Sequence, residues 1–590
     1  MKNNLLFFLT IVLMVGFIFT SCEEVLPVEL EYEIVLDMNV PNTKVDLFVG
    51  QFVTITPTLY PGDALIQTLL WELYDTSSQV LSIGRSPTFI PGMSMMTGNS
   101  VTITGLNEGE TDVMVTAIGS RGNTINAVIT ISVEGINTRF AALPDKVAAL
   151  DPSDDAKFTI EVYAPHGVES LEPQVLYFGG REVELTLSAG APGAALSLGA
   201  DLGHMFTVGD GVTLIMEGVA LYGVSHNFEG SLVVVESGGT FEMGAGSMIS
   251  GNNNRLSRVE DSVAILAVGG AVFVENGGTF ILDGGTISGN EAFQGGGVGV
   301  VAGGLFIMES GEITSNIARL EGGGVRLQGN EILPAVFTMR GGEISSNYAG
   351  WRNSAGNGGG VHAVTFATFN FYGGLIYDNR AFSGGGVYLA GNSARLNMHD
   401  GAAIILNTAF GDATGHGGGG VFLFAGFDGP TNYIAFTMYG GLISGNTTAN
   451  NGGGVRASHT NRFTMHNGSI TGNTAREGGG VFFTAGSAED RPSYFTMLDG
   501  YISGNVAETF GGGIRISSGN HTLRMVNGTI HGGEVAIALR NWAETHNALS
   551  IAGAARAQHG TFTGDTWDSQ GYLTFSDVTI EVADGVLIRP

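Results

Sequence analysis

Cysteine is all but missing from this chain: Cys22 is the single one in 590 residues. No internal disulfide framework is available, so stability has to come from packing and backbone hydrogen bonds. Basic residues are scarce too, 25 Lys plus Arg against 55 Asp plus Glu, for a net charge of −30. Nothing offers the basic, phosphate-tracking patch that nucleic acid requires, which excludes nucleic acid as a partner. Zinc-ligand spacings, phosphate loops and nucleophile motifs are absent. The recurrent Gly-Gly-Gly-Val turn contains no Asp, which excludes a calcium-binding glycine/aspartate nonapeptide. No catalytic residue, metal site or cofactor is assigned from the sequence.

What the chain has in abundance is glycine, 94 residues, set at fixed positions beside apolar side chains. Nine times the order Phe-x-Met, Ile-x-x-Asn, Gly-Gly-Gly-Val recurs, as in Phe463-Thr-Met465, Ile470-Thr-Gly-Asn473 and Gly478-Gly-Gly-Val481. The step from the Phe position to the Asn is 10 residues in seven copies and 11 in Phe241–Asn252 and Leu396–Asn407. The other two intervals vary, and the shortest full turn is 26 residues. A repeat of this period means a solenoid. Each turn offers three short runs with period-2 alternation, bounded by Gly and Asn, which predicts three strands per turn. Stacked at about 4.8 Å per coil, these make a parallel β-helix. A four-stranded blade array competes with it but is disfavoured, because each turn reads as too short for four strands. Val298, Phe306, Met308 and Ile313 point inward. The glycines provide positive φ and close approach at corners. The recurrent Asn tolerates the left-handed conformation and bonds to its equivalent one coil away. A small residue two positions on, such as Ala292, Ala318 or Ala349, suits a tight corner.

The Gly-Gly-Gly-Val and Ile-Ser-Gly-Asn pair resembles the GGA[ILV] and FxxN repeats of chlamydial polymorphic outer-membrane proteins and, more broadly, the pectate-lyase-like right-handed β-helix superfamily. The resemblance covers about residues 230–530. It departs in having Ile where that family has Phe before the Asn, and in lacking a terminal membrane barrel. It implies surface display and adhesion.

The N-terminus implies another delivery route. Lys2 precedes an apolar run from Leu5 to Phe19, then Thr20-Ser21-Cys22, which is the pattern of a secretory signal. A lone cysteine directly after the signal core resembles a bacterial lipoprotein with Cys22 as its lipidated first residue, although Phe19-Thr20-Ser21 is looser than the usual Leu-Ala-Gly type. The implied partner is a membrane, held through acyl chains on Cys22, and the implied location is the outer membrane and cell surface.

Between anchor and solenoid lie period-2 segments, including Phe52-x-Thr54-x-Thr56, Val101-x-Ile103, Val113-x-Val115 and Ile129-x-Ile131-x-Val133, which predict a small β-sandwich. Val45-Asp-Leu47-Phe-Val-Gly50, Trp71 and Ile103-Thr-Gly105-Leu106-x-x-Gly109-x-Thr111 resemble the bacterial Ig-like group 2 domain, with Trp71 in the core. The fold class is therefore all-β: a right-handed parallel β-helix preceded by a small Ig-like β-sandwich. The expected organisation is a signal peptide at 1–21, a tether at 22–34, the Ig-like domain at 35–134, a linker and N-terminal cap at 135–170, β-helix repeats at 171–530, irregular over the first coils, and C-terminal coils and cap at 531–590.

Gly415-His416-Gly417 matches a short string of polygalacturonases, but the paired Asp residues such chemistry needs are missing and only Asp412 is near; His416 is not assigned a catalytic role. The position after the inward Val carries a more telling pattern. Alternation turns it outward, and it is filled by Phe273, Gly299, Arg326, His362, Tyr388, Phe422, Arg456, Phe482 and Arg515. Stacking aligns these into one ladder, flanked by insertions at 348–357, 408–417, 422–435 and 482–494. Insertions confined to one side mark the binding side of a repeat protein. The competing reading is a row that stabilises itself across strands or is covered by loops. The expected function is a non-catalytic, adhesin-like surface protein that recognises a glycan or host-surface protein. The alternatives are a polysaccharide lyase or hydrolase whose site combines several coils, and a structural surface-layer protein.

Overall fold

The computed structural model describes residues 44–531, apart from 60–65, 75–78, 85–94, 99, 120–123, 164–167, 201, 228–229, 255–257, 261–262, 266–267, 351–355, 413–414, 426–432, 460, 485–492, 517–520 and 526–527. Outside that span it describes the strands Leu9–Gly16, Glu31–Leu36, Leu549–Ile551, Val578–Val582 and Val586–Ile588. Cys22 lies outside the described residues. Two compact units are present: Met1–Asp151 with Ile160–Leu171 and Ala189–Leu196, and the remainder from Pro152 onward.

The first unit contains two five-stranded sheets around a common apolar core. Alternation in Ile129-x-Ile131-x-Val133 and Val113-x-Val115 turns one face inward, and these residues are buried. Trp71 is fully buried at the centre and donates its indole N–H to the carbonyl of Gly98 at 2.9 Å, which satisfies the one polar group of the ring. The apolar run read as a signal core supplies a strand here: Leu9–Gly16 pairs in parallel with Phe52–Leu59 and antiparallel with Glu31–Leu36. Two short helices, Ile136–Ala141 and Leu143–Ala149, occupy the expected linker. The first has no side-chain cap of its own, and Glu169 accepts from the backbone N–H of Ile136 at 2.8 Å instead. Arg139 lies over the Phe48 ring at 4.0 Å and donates to the carbonyl of Glu161.

The second unit is a right-handed parallel β-helix. One coil shows its plan: Val298–Val300, Leu305–Met308, Glu312–Thr314 and Ile317–Glu321. That makes four strands per coil rather than three. The segment expected to be a tight corner is a short strand whose Ala points inward, and the Ala318↔Ala349 and Ala349↔Ala381 pairings continue it from coil to coil. A 26-residue turn therefore holds four strands, because two of them need only three residues each. Register is kept residue for residue: Val298 faces Val325, Phe306 faces Phe337 and Ile313 faces Ile344. Val183–Ser188 already pairs in register with Val212–Glu217, but the first coils lack the fourth strand, whose sheet begins only at Asn253–Asn254, so they depart from the later plan in that respect. Past residue 531 the described strands continue the stacking, as in His521↔Val578.

Inside, the Phe rings stack along the axis with centroids 4.4 Å apart at Phe306–Phe337 and 4.6 Å apart at Phe436–Phe463. Leu396 takes the ring's place between Phe369 and Phe436. The turn glycines have separate reasons. Gly295 has φ +65°, and a Cβ on Gly296 would come within 2.4 Å of the Gly323 carbonyl oxygen.

The Asn row runs unbroken from Asn252 to Asn505. Both the backbone N–H and the Nδ2 of Asn347 donate to Oδ1 of Asn379, at 3.0 Å each, while its Nδ2 also reaches the Ile313 carbonyl at 2.8 Å. The same pattern links Asn290 to Asn316, Asn407 to Asn446 and Asn473 to Asn505. The left-handed residue is not the Asn but the one before it: Gly289, Gly445, Gly472 and Gly504, and in four coils Ser315, Ser346, Asp378 and Leu406 at φ +49° to +58°.

Two outcomes follow. Asn379→Ala strands two donors of Asn347 and the Ile344 carbonyl in a buried row, and is expected to lower unfolding free energy by about 3 kcal/mol. Leu406→Gly relieves a left-handed conformation at a largely exposed position, and is expected to stabilise by about 0.5–1 kcal/mol net of glycine's entropy. Denaturant midpoints at constant slope check both.

Candidate functional site

The ladder after the inward Val forms in register: Arg326↔His362, His362↔Tyr388, Tyr388↔Phe422, Phe422↔Arg456, Arg456↔Phe482 and Phe482↔Arg515. Phe273 pairs with Gly299 at its lower end. Its expected exposure is corrected. Arg326, His362, Tyr388, Phe422, Arg456, Phe482 and Arg515 are all buried, and Phe273 is half-buried. The cause is the glycine run that precedes each strand. Its first glycine folds back onto the ladder, so that a Cβ on Gly384 would sit 2.7 Å from Tyr388 Cβ and one on Gly418 2.6 Å from Phe422 Cβ. The ladder thus lines a crook between the Val strands and the ends of the Ala strands. Replacing Tyr388, Phe422 and Phe482 together by Ser would open a core.

Charge in the crook falls into the Glu321 cluster, the Glu477–Arg515 pair and the Arg456 guanidinium. Glu321 accepts from Gln294 Nε2 at 2.9 Å and Arg326 Nε at 3.0 Å, and lies 3.4 Å from His362 Nδ1. Burial alone would push its carboxyl up, but the His362 ring and the Arg326 guanidinium outweigh that and hold it at about 2. Neither ring nitrogen of His362 makes a hydrogen bond within the described residues. Arg515 Nε is answered by Glu477 at 3.2 Å. Arg456 lies over the Phe422 ring at 4.8 Å and reaches the Phe482 ring at 5.7 Å. Burial lowers its pKa to about 10. His416 sits beside this group, its Nδ1 3.0 Å from Ser383 Oγ and its ring edge-on to Phe382.

A second row was open to the same alternation reading, one strand further on. The residue after each inward Met (or Phe371) is Tyr372, His399, Tyr439 and His466 in successive coils. Their rings stack at 4.4, 4.8 and 4.9 Å. Tyr372 is 47% and Tyr439 45% exposed. Two residues earlier runs a polar row in which Asn397 Nδ2 donates to Asn370 Oδ1 at 2.9 Å, followed by Thr437 and Thr464. Arg462 lies over the Tyr433 ring at 3.9 Å and near Tyr494. This outer face combines ring edges, amides, hydroxyls and a guanidinium, the side-chain types that hydrogen-bond and pack against polar ligands. Among the described residues, no group of three or more His, Cys, Asp or Glu is placed to hold a metal ion.

No family model and no curated protein matches the chain. Among solved structures it is similar to the family 28 exopolygalacturonase of Yersinia enterocolitica, with 9% identity over 84% of this chain and 86% of that one, and a TM-score of 0.23. At that level of likeness no activity transfers.

Glu321→Gln breaks the buried cluster and is expected to cost about 3 kcal/mol at neutral pH. A carboxyl depressed in the fold stabilises above its unfolded pKa, about 4.3, and that contribution is lost as pH falls through about 2. The gap in melting temperature between variant and wild type should therefore be full near pH 6 and close as pH approaches 2; a gap independent of pH would contradict the assignment.

Proposed function

We propose that this protein is a lipid-anchored, surface-exposed recognition protein without catalytic function, held to the outer membrane through Cys22 once residues 1–21, and with them the Leu9–Gly16 strand, are removed, and spaced from it by an Ig-like domain. Its β-helix presents the outer face of the Phe strands to a glycan or a host-surface partner. The exposed Tyr372–His399–Tyr439–His466 row carries this reading. A protein that needed only to be stable would have no use for half-exposed tyrosines aligned over consecutive coils, and aligned aromatic edges beside amide and hydroxyl rows suit a ligand rich in hydroxyl groups. Because the rings cover one another's faces, such a ligand meets their edges and the phenolic hydroxyls.

The test is binding of the full-length protein to an array of polysaccharides and host-surface proteins. Tyr372→Ser with Tyr439→Ser should weaken binding about tenfold or more, while costing the fold only about 1 kcal/mol in lost ring contacts. Unchanged binding by that variant would sink the reading. New reducing ends released from any polysaccharide would instead establish the hydrolase or lyase alternative.

A further inference from the structure

Two arginines on the outer face of the Phe strands are answered by no carboxylate among the described residues. Arg395 and Arg462 are both exposed, and each stands one residue before an inward side chain, Leu396 or Phe463. Arg395 has no ion pair, hydrogen bond or ring contact with a described residue. Arg462 packs over the Tyr433 ring at 3.9 Å and near Tyr494. Four other exposed basic side chains are answered: Lys44 by Glu110, Lys157 by Glu184, Arg340 by Glu309 and Arg380 by Asp378. With 55 acidic residues against 25 basic ones, carboxylates are in surplus, so open guanidiniums on one face reverse the chain's charge locally.

Their placement is periodic. Arg395 faces Ala435 and Ala435 faces Arg462, so the two guanidiniums leave the sheet two coils apart, about 9.6 Å at the usual strand spacing. The same two coils carry His399 and His466. The alternate coils carry Tyr372 and Tyr439, with Thr368 and Ala435 in the arginine position. Between arginine row and ring row runs the polar row of Asn370, Asn397, Thr437 and Thr464. Asp400, the carboxylate beside His399, lies five residues beyond Arg395 and is folded onto Gly440.

We propose that this face takes a linear acidic glycan with one anionic group, carboxylate or sulfate, per disaccharide, laid along the helix axis. The inference rests on the recognition role proposed above and names the ligand class of that same face. Two extended sugar rings span about the rise of two coils. An anion on every second sugar therefore meets a guanidinium at every second coil, and the neutral sugars lie over the tyrosine coils. A charge on every sugar would leave half the anions over coils without a cation. The guanidinium fork matches carboxylate and sulfate through paired N–H donors, and the Tyr433 ring holds that of Arg462 in place. The amides and hydroxyls alongside suit sugar hydroxyls. An acidic peptide fits less well, because the Phe strands here are paired on both sides and offer no free edge for an added strand.

The test is calorimetric binding of the full-length protein to four hexasaccharides. Hyaluronan has a carboxylate on every second sugar, a monosulfated keratan sulfate has a sulfate on every second sugar, oligogalacturonate has a carboxylate on every sugar, and cellohexaose is neutral. Hyaluronan or keratan sulfate should bind about tenfold or more tighter than the last two, with an affinity that falls as salt rises. Arg395→Gln with Arg462→Gln should remove both the preference and the salt dependence while leaving the melting temperature unchanged. Arg395→Gln with Ala435→Arg puts the cations on adjacent coils and should transfer the preference to oligogalacturonate. Absence of the preference, or a preference that survives the double Gln variant or stays unmoved in the relocated one, would overturn the inference. So would arginine-dependent binding of polyglutamate in preference to all four glycans. The recognition role would outlive these results as long as some ligand still bound through Tyr372 and Tyr439. A protein that bound no glycan and no host-surface protein would lose both.

Discussion

Everything in the β-helix depends on each coil completing the hydrogen bonds of the next. A backbone wound this way has no internal ladder within a turn, so every strand N–H and carbonyl must find its partner one coil away. The Asn row applies the same rule to side chains. Asn316, Asn347, Asn379 and their equivalents are enclosed, and each amide satisfies an N–H and a carbonyl of the preceding coil while donating to the next Asn. An enclosed amide with a missing partner is costly, while a complete row strengthens every member. That explains why the interval leading into the Asn stays at 10 or 11 residues while the other two intervals vary. The enclosed amide cannot shift without stranding its neighbours, whereas loops opening to solvent can grow.

The same constraint sorts the two aligned side-chain rows. One lies where the glycine run doubles back, so it is enclosed and must settle its own charge: Glu321 binds Arg326 and stands against His362, and Glu477 answers Arg515. The other lies where the chain bends away past Gly373 or Gly440, so its rings keep an open edge. Enclosure favours a self-contained network and openness favours contact with something else. Identical register thus yields different chemistry on two sides of a coil.

Much of this was legible in the sequence. Period, spacing and the glycine and Asn positions dictate a parallel β-helix, and the inward Val, Phe, Met and Ile rows are where alternation puts them. Trp71 is in the core of the sandwich for the same reason. Three features were not legible. The Ala strand is too short to show alternation, so it reads as a corner. The left-handed φ sits on Ser315, Asp378 or Leu406 in some coils, residue types that do not announce it. The burial of the Arg326–Arg515 ladder depends on where a glycine run folds in space, and alternation along a single strand knows nothing of that. The Tyr372 row, by contrast, obeyed the alternation rule and needed only the rule's use on the neighbouring strand.

Stacking at a fixed rise turns the outer row into a ruler. Its marks fall about 4.8 Å apart, and because Tyr and His take turns, like marks recur only at every second coil. A small molecule touches one or two marks and is indifferent to the scale. A polymer laid along the axis is measured against it, and any mismatch between its repeat and the coil's accumulates with each step. Any discrimination by length on this face would be set by the backbone rather than by any one side chain.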